Sequence, residues 1–295
     1  MTDPLTRVTR SLTCPVCTGE LTVVAVRDDG SPGVLGCPRG HRFDVARQGY
    51  VALLTGAQRG LVSDTADMVA ARSRVLSDDG PFARLRSSVA DQVAHISIGA
   101  GEPAPMLLDV GSGTGQYTAA CLDRLPSAAG IGIDLSKACA RSTARAHPRL
   151  AGVVADAWSR LPVADLSVRT ILSVFAPRNV ADFARVLRDG GHLVVVAPEP
   201  AHLRELIEPM GMLRVGEDKY DGLLSATAEQ FSEVSSEVVR YRAQVSSGQI
   251  ADLVAMGPSA FHTSIDEITS RAGVFAAESS VSVTVAVRVT TLRRR

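Results

Sequence analysis

The 295-residue sequence has no excess of either charge, no long apolar run and only five cysteines, and each scarcity excludes something. Thirty-one basic and 31 acidic residues cancel, so bulk charge does not announce a nucleic-acid partner; any RNA contact has to come from locally arranged arginines. The only dense basic run is Arg293–Arg295, which reads as a solvated tail. No stretch reaches the unbroken apolar length of a membrane span, and the N-terminus lacks the apolar core of a secretory signal; a cytoplasmic protein is expected. An odd number of mostly clustered cysteines is not a secreted disulfide framework. There is no internal repeat and no low-complexity tract. What is there is a hydrophobic content of 45%, enough for one large domain with a small one attached.

Three of the five thiols fall between residues 14 and 37. Cys14 and Cys17 form Cys-x2-Cys, and Cys37 opens Cys-Pro-Arg-Gly-His, a Cys-x3-His pair ending at His41. Two short ligand pairs on tight turns are what a tetrahedral zinc site needs, and Pro15, Gly19, Pro38 and Gly40 supply the turn chemistry. Between them LTVVAV reads as a hairpin strand, with DDGSPG as its turn. Four protein ligands leave no open position, so the zinc expected here is structural. Binding worth roughly 10–16 kcal/mol could hold a segment of about 40 residues, too short for its own core. The competing readings are three unrelated buried thiols with a surface histidine, or a redox Cys-x2-Cys; the second lacks a surrounding thioredoxin-like pattern.

Residues 1–50 therefore read as a zinc-binding β-hairpin module and 51–105 as a connector with helices. TGAQRGLVSDTA (55–66) is rich in glycine and small polar residues, and GAGEPAP (99–105) is a plain loop. Asp67–Leu76 and Pro81–Ile96 show helical apolar spacing, broken at Asp79–Gly80. Over 106–295 short apolar runs alternate with helical stretches: MLLDV, GIGID, GVVAD, TILSVF and HLVVVA are each followed by a helix or turn. This is repeated βα, hence an α/β fold with a parallel sheet covered on both faces. SSVSVTVAVRVTTL (279–292) alternates like an added antiparallel strand.

MLLDV runs into GSGTGQYT, placing Gly111, Gly113 and Gly115 between a strand and a helix, where the backbone can approach a ligand and helix N–H groups are free. Asp134 ends the next strand, where a carboxylate can accept from both hydroxyls of a ribose. The third glycine follows the second by two, not three, unlike the NAD fingerprint. With Asp109 in front, D-x-G-x-G-x-G resembles motif I of the class I S-adenosylmethionine-dependent methyltransferases, which implies a Rossmann-like seven-stranded sheet. It implies that Asp109 and the glycine loop hold the methionine end, Asp134 the ribose and Asp156 the adenine. Tyr117, Leu135, Ala157 and Trp158 are the implied flanking contacts. Asp156 has a competing reading as a helix N-cap.

Longer blocks narrow the resemblance. CPVC with GHRFDVARQGYVALL (within 14–54), DTADMVAAR (64–72), SVFAPRN (173–179), MLRV before Gly216, and VAMGPSAFH (254–262) together resemble the RlmA family of 23S rRNA (guanine-N1)-methyltransferases, nearest its TlrB macrolide-resistance branch. The resemblance implies methyl transfer to N1 of a guanosine in the domain II hairpin loop, at position 748, with tylosin-class resistance as a consequence and the zinc module gripping RNA. SVFAPR stands where amino-methyltransferases carry an Asn/Asp-Pro-Pro-aromatic signature, but without the Asn or Asp; Ser173 reads as packing. Candidates for the chemistry are Phe175, Pro177, His262 and Asp67, with no general base assigned. Phe175 and Phe261 are candidate stacking rings with core packing as the alternative. Arg39, Arg42, Arg47, Arg72 and Arg178 are candidate phosphate partners or ordinary solvated arginines. Asp64 reads as an N-cap or its neighbour, and its block as a lid. A homodimer closing an RNA-binding cleft is compatible with the connector. The alternative is a small-molecule methyltransferase with a structural zinc module.

Overall fold

The computed structural model describes residues 3–55, 63–98, 104–214, 216, 219–261, 263–276 and 279–295. His262, Val215, most of the 55–66 connector and most of the 99–105 loop lie outside the described residues.

The chain opens with α1 (Pro4–Val8), capped by Asp3, whose Oδ1 accepts from the Leu5 N–H at 2.9 Å, with Pro4 in the first turn. β1 (Thr22–Val26), β2 (Pro32–Gly36) and β3 (Arg42–Asp44) then form an antiparallel three-stranded sheet in that order, one strand more than the expected hairpin. The turn between β1 and β2 is the one anticipated, with Gly30 at φ +79°. β4 (Tyr50–Ala52) leaves this module and joins the main sheet, pairing in parallel with residues 152–154.

The connector helices are α2 (Ala66–Val75), capped by the Thr65 hydroxyl accepting from Met68 N–H, and α3 (Ala83–Ile98). The alternating unit follows as β5 (Met106–Val110), α4 (Gln116–Arg124), β6 (Ala129–Asp134), α5 (Lys137–Ala146), β7 (Leu150–Val154), β8 (Val168–Val174), α6 (Val180–Val186), β9 (Leu187–Pro198) and α7 (Arg204–Met210). Beyond it lie α8 (Lys219–Thr227), β10 (Phe231–Val245), α9 (Ser247–Ala255), α10 (Ile265–Ala276) and β11 (Val281–Arg294).

The sheet order is β10-β11-β9-β8-β5-β6-β7-β4. Seven strands form the expected sheet, and β4 adds an eighth at its edge. β11 runs antiparallel to both neighbours, as its alternation predicts. Its extent overturns the reading of residues 293–295 as a solvated tail. Arg293 and Arg294 continue the strand, Arg294 pairs with Asp189 at 3.0 Å, and Arg295 Nε donates to Phe231 O.

Period-2 side-chain direction splits the core in two. Leu107, Leu172, Val174, Val194 and Val196 face α2, α3, α4, α7, α9 and α10. Leu108, Ile131, Ile171, Leu193 and Val195 face α1, the zinc module and α6. The small N-terminal module thus buries its apolar side, Leu21, Leu35 and Val45, against the same layer as the sheet. The backbone seals the joint: Thr13 N–H donates to Pro162 O at 3.0 Å and Ala164 N–H to Ser11 O at 2.9 Å. No helix among the described residues is long and apolar enough to cross a membrane.

Candidate active site and metal centre

The two thiol turns close on each other. Cys14 N–H donates to Gly19 O at 2.8 Å and Thr18 N–H to Cys14 O at 2.8 Å; Gly40 N–H donates to Cys37 O at 2.9 Å. Each turn therefore points its two donors the same way. Cys14, Cys17, Cys37 and His41 present ligand atoms all within 4.8 Å of one another. Cys17 Sγ lies 3.6 Å from Cys37 Sγ, and His41 Nδ1 lies 3.6 Å from Cys14 Sγ and 3.3 Å from Cys37 Sγ. A tetrahedron with bonds of about 2.3 Å to sulfur and about 2.0 Å to nitrogen has edges of about 3.5–3.8 Å. The donor set and its spacing fit zinc, with no position left for a substrate.

The second site is a cleft of about 580 Å³ at the C-terminal ends of the parallel strands, where open α/β sheets bind ligands. Its floor is the glycine loop. Gly111 has φ +76°, and a Cβ there would stand 2.5 Å from the Ala176 Cβ. Gly115, at φ +78°, is the N-cap of α4, and a Cβ would stand 2.9 Å from Thr143 Cα. Both positions thus require glycine twice over. Asp134 ties the loop down: its Oδ2 accepts from Gly113 N–H and its Oδ1 from Ser136 N–H, each at 2.9 Å. Burial nonetheless raises the Asp134 pKa, with the Asp64 carboxylate adding to the effect.

Asp109 lies under the loop, 2% exposed. Its Oδ2 accepts from the Thr118 hydroxyl at 2.5 Å, while Oδ1 is buried with no partner among the described residues. Burial pushes its pKa up to about 7, opposed by the Thr118 hydrogen bond and assisted by Asp134. The Tyr117 hydroxyl, also on the cleft wall, is buried without a partner among the described residues, and burial raises its pKa too. An unused acceptor and an unused hydroxyl at the inner end of a glycine-lined cleft fit the ammonium and carboxylate of an amino-acid moiety. Native structures rarely leave such groups unmatched.

Leu135, Asp156, Ala157 and Trp158 also line the cleft. Asp156 also serves its own turn, accepting from Trp158 N–H at 2.9 Å and from the Ser159 hydroxyl at 2.8 Å. Phe175 and Pro177 line the cleft, Phe175 at φ +52° with its ring stacked on His202 at 5.8 Å. A positive φ on a bulky residue at a cavity rim is stored strain of the kind found at working sites. Phe175, Trp158 and Phe261 are 43%, 68% and 42% exposed, so all three rings at the mouth are open to a flat ligand. Ser173 is fully buried and does not line the cleft, in keeping with packing.

Asp67 is not brought to the site. It is exposed in the first turn of α2 and complements that helix N-terminus. Asp64 is the neighbour of the cap, which is Thr65; its carboxylate pairs with Arg72 in the cleft wall. Arg72 also donates to Met256 O at 2.7 Å, so it clamps α2 to the end of α9 over the glycine loop and is not a free phosphate partner. Arg39, Arg42 and Arg47 are exposed on the zinc module. Arg178 is half-buried beside Pro177, and burial lowers its pKa. His202 reaches the cleft from the β9–α7 loop and went unnoticed in the sequence, where nothing but its position after a strand end marks it.

Comparison with known proteins decides the family. The zinc-ribbon family described as "RlmA, N-terminal" matches residues 12–59, and "Methyltransferase domain" matches residues 107–191. The chain is similar to the 23S rRNA (guanine(748)-N(1))-methyltransferase of Streptomyces fradiae, at 42% identity over 90% of each chain. It is similar at the same identity to a protein of Micromonospora griseorubida provisionally named 23S rRNA (guanine-N(1)-)-methyltransferase, over 96% of this chain and 97% of the relative. The chain belongs to the RlmA family of 23S rRNA (guanine-N1)-methyltransferases. As an RlmA-family member it is an S-adenosylmethionine-dependent methyltransferase built on an α/β core with an N-terminal zinc ribbon.

The Asp109 environment carries a pH signature. The free carboxyl is half protonated near pH 7, and a bound ammonium favours the ionised form. Were Asp109 to hold the cofactor ammonium, cofactor affinity would rise from pH 6 to pH 7. Titration calorimetry at pH 6 in buffers of different ionisation enthalpy is expected to show close to one proton released per cofactor bound. No buffer dependence at pH 6 contradicts this assignment.

Proposed function

We propose that this chain transfers a methyl group from S-adenosylmethionine to N1 of a guanosine in 23S rRNA, at position 748 as in the name of the Streptomyces fradiae relative, in a domain II hairpin loop. Methylation there is proposed to give tylosin-class resistance. The observation that carries the reading is the likeness to that enzyme over 90% of each chain, together with the glycine-lined inner cleft and the clustered zinc-ribbon ligands.

S-adenosylmethionine supplies an electrophilic methyl group on a positively charged sulfur. Asp109 would take the ammonium, Tyr117 with the glycine loop the carboxylate end, Asp134 the ribose and Asp156 with Ala157 the adenine. Gly111, Gly113 and Gly115 contribute absence of bulk and free N–H groups at the start of α4. The acceptor nitrogen of guanine carries a proton that must leave before or during attack. Phe175 and Phe261 offer faces for an extruded base, and backbone carbonyls around Phe175–Pro177 offer acceptors for its edge. His202 accepts from Ala286 N–H through Nδ1 at 3.2 Å, so in its neutral form the proton sits on Nε2. It is therefore a donor, suited to a guanine oxygen and not to taking the N1 proton. Arg39, Arg42, Arg47 and Arg178 are the proposed phosphate partners, and a homodimer would bring two zinc ribbons to one RNA.

Phe175→Ala is expected to leave cofactor affinity within about threefold and to lower RNA methylation by ten- to a hundredfold, about 1–3 kcal/mol of lost stacking. Single-turnover assays on an rRNA fragment check it. The reading as a whole is tested by incubating the purified protein with methyl-labelled cofactor and ribosomal RNA, followed by nucleoside analysis. Label in 1-methylguanosine supports it; label found only in small metabolites supports a small-molecule enzyme instead.

A further inference from the structure

A second cavity, of about 690 Å³, lies at the opposite pole of the sheet from the cofactor cleft, among α3, the starts of β8 and β10, the first half of β9 and the end of β11. No part of the methyl-transfer reading uses it. Its lining includes Arg169, His192 and Arg293. His192 sits between Thr170 and Arg293 in register across three strands. The β8–β9 ladder slips between Val168 and Thr170. That irregularity takes Arg169 out of regular alternation, as bulges do when they re-aim a side chain, and it lines the same cavity as His192. Gly190, at φ +66°, lets Arg293 pass close by: a Cβ there would lie 3.1 Å from Nη2.

These groups are unmatched. Arg169 Nε and His192 Nδ1 are buried with no hydrogen-bond partner among the described residues. Neither Arg169 nor Arg293 forms an ion pair among the described residues, whereas the neighbouring Arg294 has Asp189. Gln92 on the α3 wall already donates to Ser235 and Thr291. Glu237 on β10 and His95 on α3 complete the polar lining, so two guanidinium charges face one carboxylate. Burial, with the two arginines beside it, lowers the His192 pKa. Donors converge from three strands, more than the two oxygens of a carboxylate occupy, and guanidinium forks match phosphate geometry. The volume is that of a small-ligand site.

We propose that this cavity binds a phosphoryl group, with Arg169 and Arg293 supplying charge and His192 a hydrogen bond. The phosphoryl group comes from either an RNA backbone lying over this pole or a free phosphate ester. Only the RNA source rests on the proposed reaction.

The test titrates inorganic phosphate into the full-length, zinc-loaded protein while the His192 imidazole is followed by NMR. Saturable perturbation with an upward shift of the His192 titration midpoint is expected. Arg169→Met and Arg293→Met should each weaken it at least tenfold with cofactor affinity unchanged, which also reports that each variant is folded. The proposal is overturned if chloride at equal ionic strength gives the same response, if phosphate gives none, or if the response survives both substitutions. An rRNA fragment that displaces phosphate, and binds Arg293→Met more weakly with a shallower salt dependence, assigns the backbone as the source. Phosphate binding without such competition assigns a free ester. Cofactor binding and methyl transfer are read separately, so failure here leaves the proposed reaction standing and the converse also holds.

Discussion

Asp109→Asn is expected to stabilise the free protein above pH 7 and to weaken S-adenosylmethionine binding about a hundredfold. The two effects have one origin. The carboxyl is buried, and its pKa of about 7 lies well above that of an exposed aspartate. The sign follows from linkage. A group whose folded pKa is raised contributes most below its unfolded pKa and loses that contribution as pH rises through the folded value. The wild type therefore sheds stability between about pH 4 and pH 7, on the order of 4 kcal/mol for a shift of about three units. Asparagine keeps the acceptor for the Thr118 hydroxyl and carries no charge, so the variant escapes most of this loss. It has nothing to offer an ammonium, however, and a lost charged hydrogen bond costs about 1.5–3 kcal/mol. Melting curves from pH 4 to pH 8 should diverge with rising pH, the variant higher. Coincident curves, or a variant that binds cofactor normally, contradict the assignment of Asp109.

The second large effect concerns the metal. Cys17→Ser, or removal of zinc by a chelator, is expected to lower the melting temperature by about 10 °C or more and to abolish RNA methylation. Zinc binding of roughly 10–16 kcal/mol is comparable with the whole stability of a domain, about 5–15 kcal/mol. Apart from the metal, the three strands β1–β3 are held by the apolar side they share with the sheet, through Leu21, Leu35 and Val45. Damage should spread along the shared core, through Leu12, Leu21, Leu35 and Val45, to the β4 edge of the sheet. The cleft itself takes no described lining residue from the first 55, so cofactor affinity should fall less than tenfold. Hydrogen exchange checks the partition: amides of residues 12–45 lose protection while those of β5, β6 and β8 keep most of theirs. A chelated protein with unchanged exchange contradicts a structural role for the metal.

The parts legible in the sequence were those whose chemistry is local. Cys14 to His41 can be read because each ligand pair sits within one turn. Asp109, the three glycines and Asp134 can be read because strand-end, loop and helix start are contiguous. What escaped depends on distant partners. Arg72 finds Met256 O across 184 residues, and the Tyr241 hydroxyl finds Pro81 O across 160. β10 was missed because it is the edge strand. Exposed Glu233, Glu237 and Arg240 interrupt its apolar residues on both faces, so apolar alternation is diluted over its 15 residues. His202 is placed by Leu203, a non-glycine residue at φ +50°, a conformation its residue type does not announce. Arg293–Arg295 looked like a solvated end because a run of like charge normally is one; pairing with β9 and β10 overrides that preference.

Primer extension across the domain II loop of 23S rRNA, after treatment with the purified protein and S-adenosylmethionine, tests the central claim most directly. The account predicts a strong stop one nucleotide before guanosine 748, since a methyl on N1 blocks base pairing. That stop should disappear with Asp109→Asn at limiting cofactor and with the chelated protein. Uninterrupted extension under conditions where cofactor binding has been demonstrated, or an undiminished stop with the zinc-free protein, would contradict it.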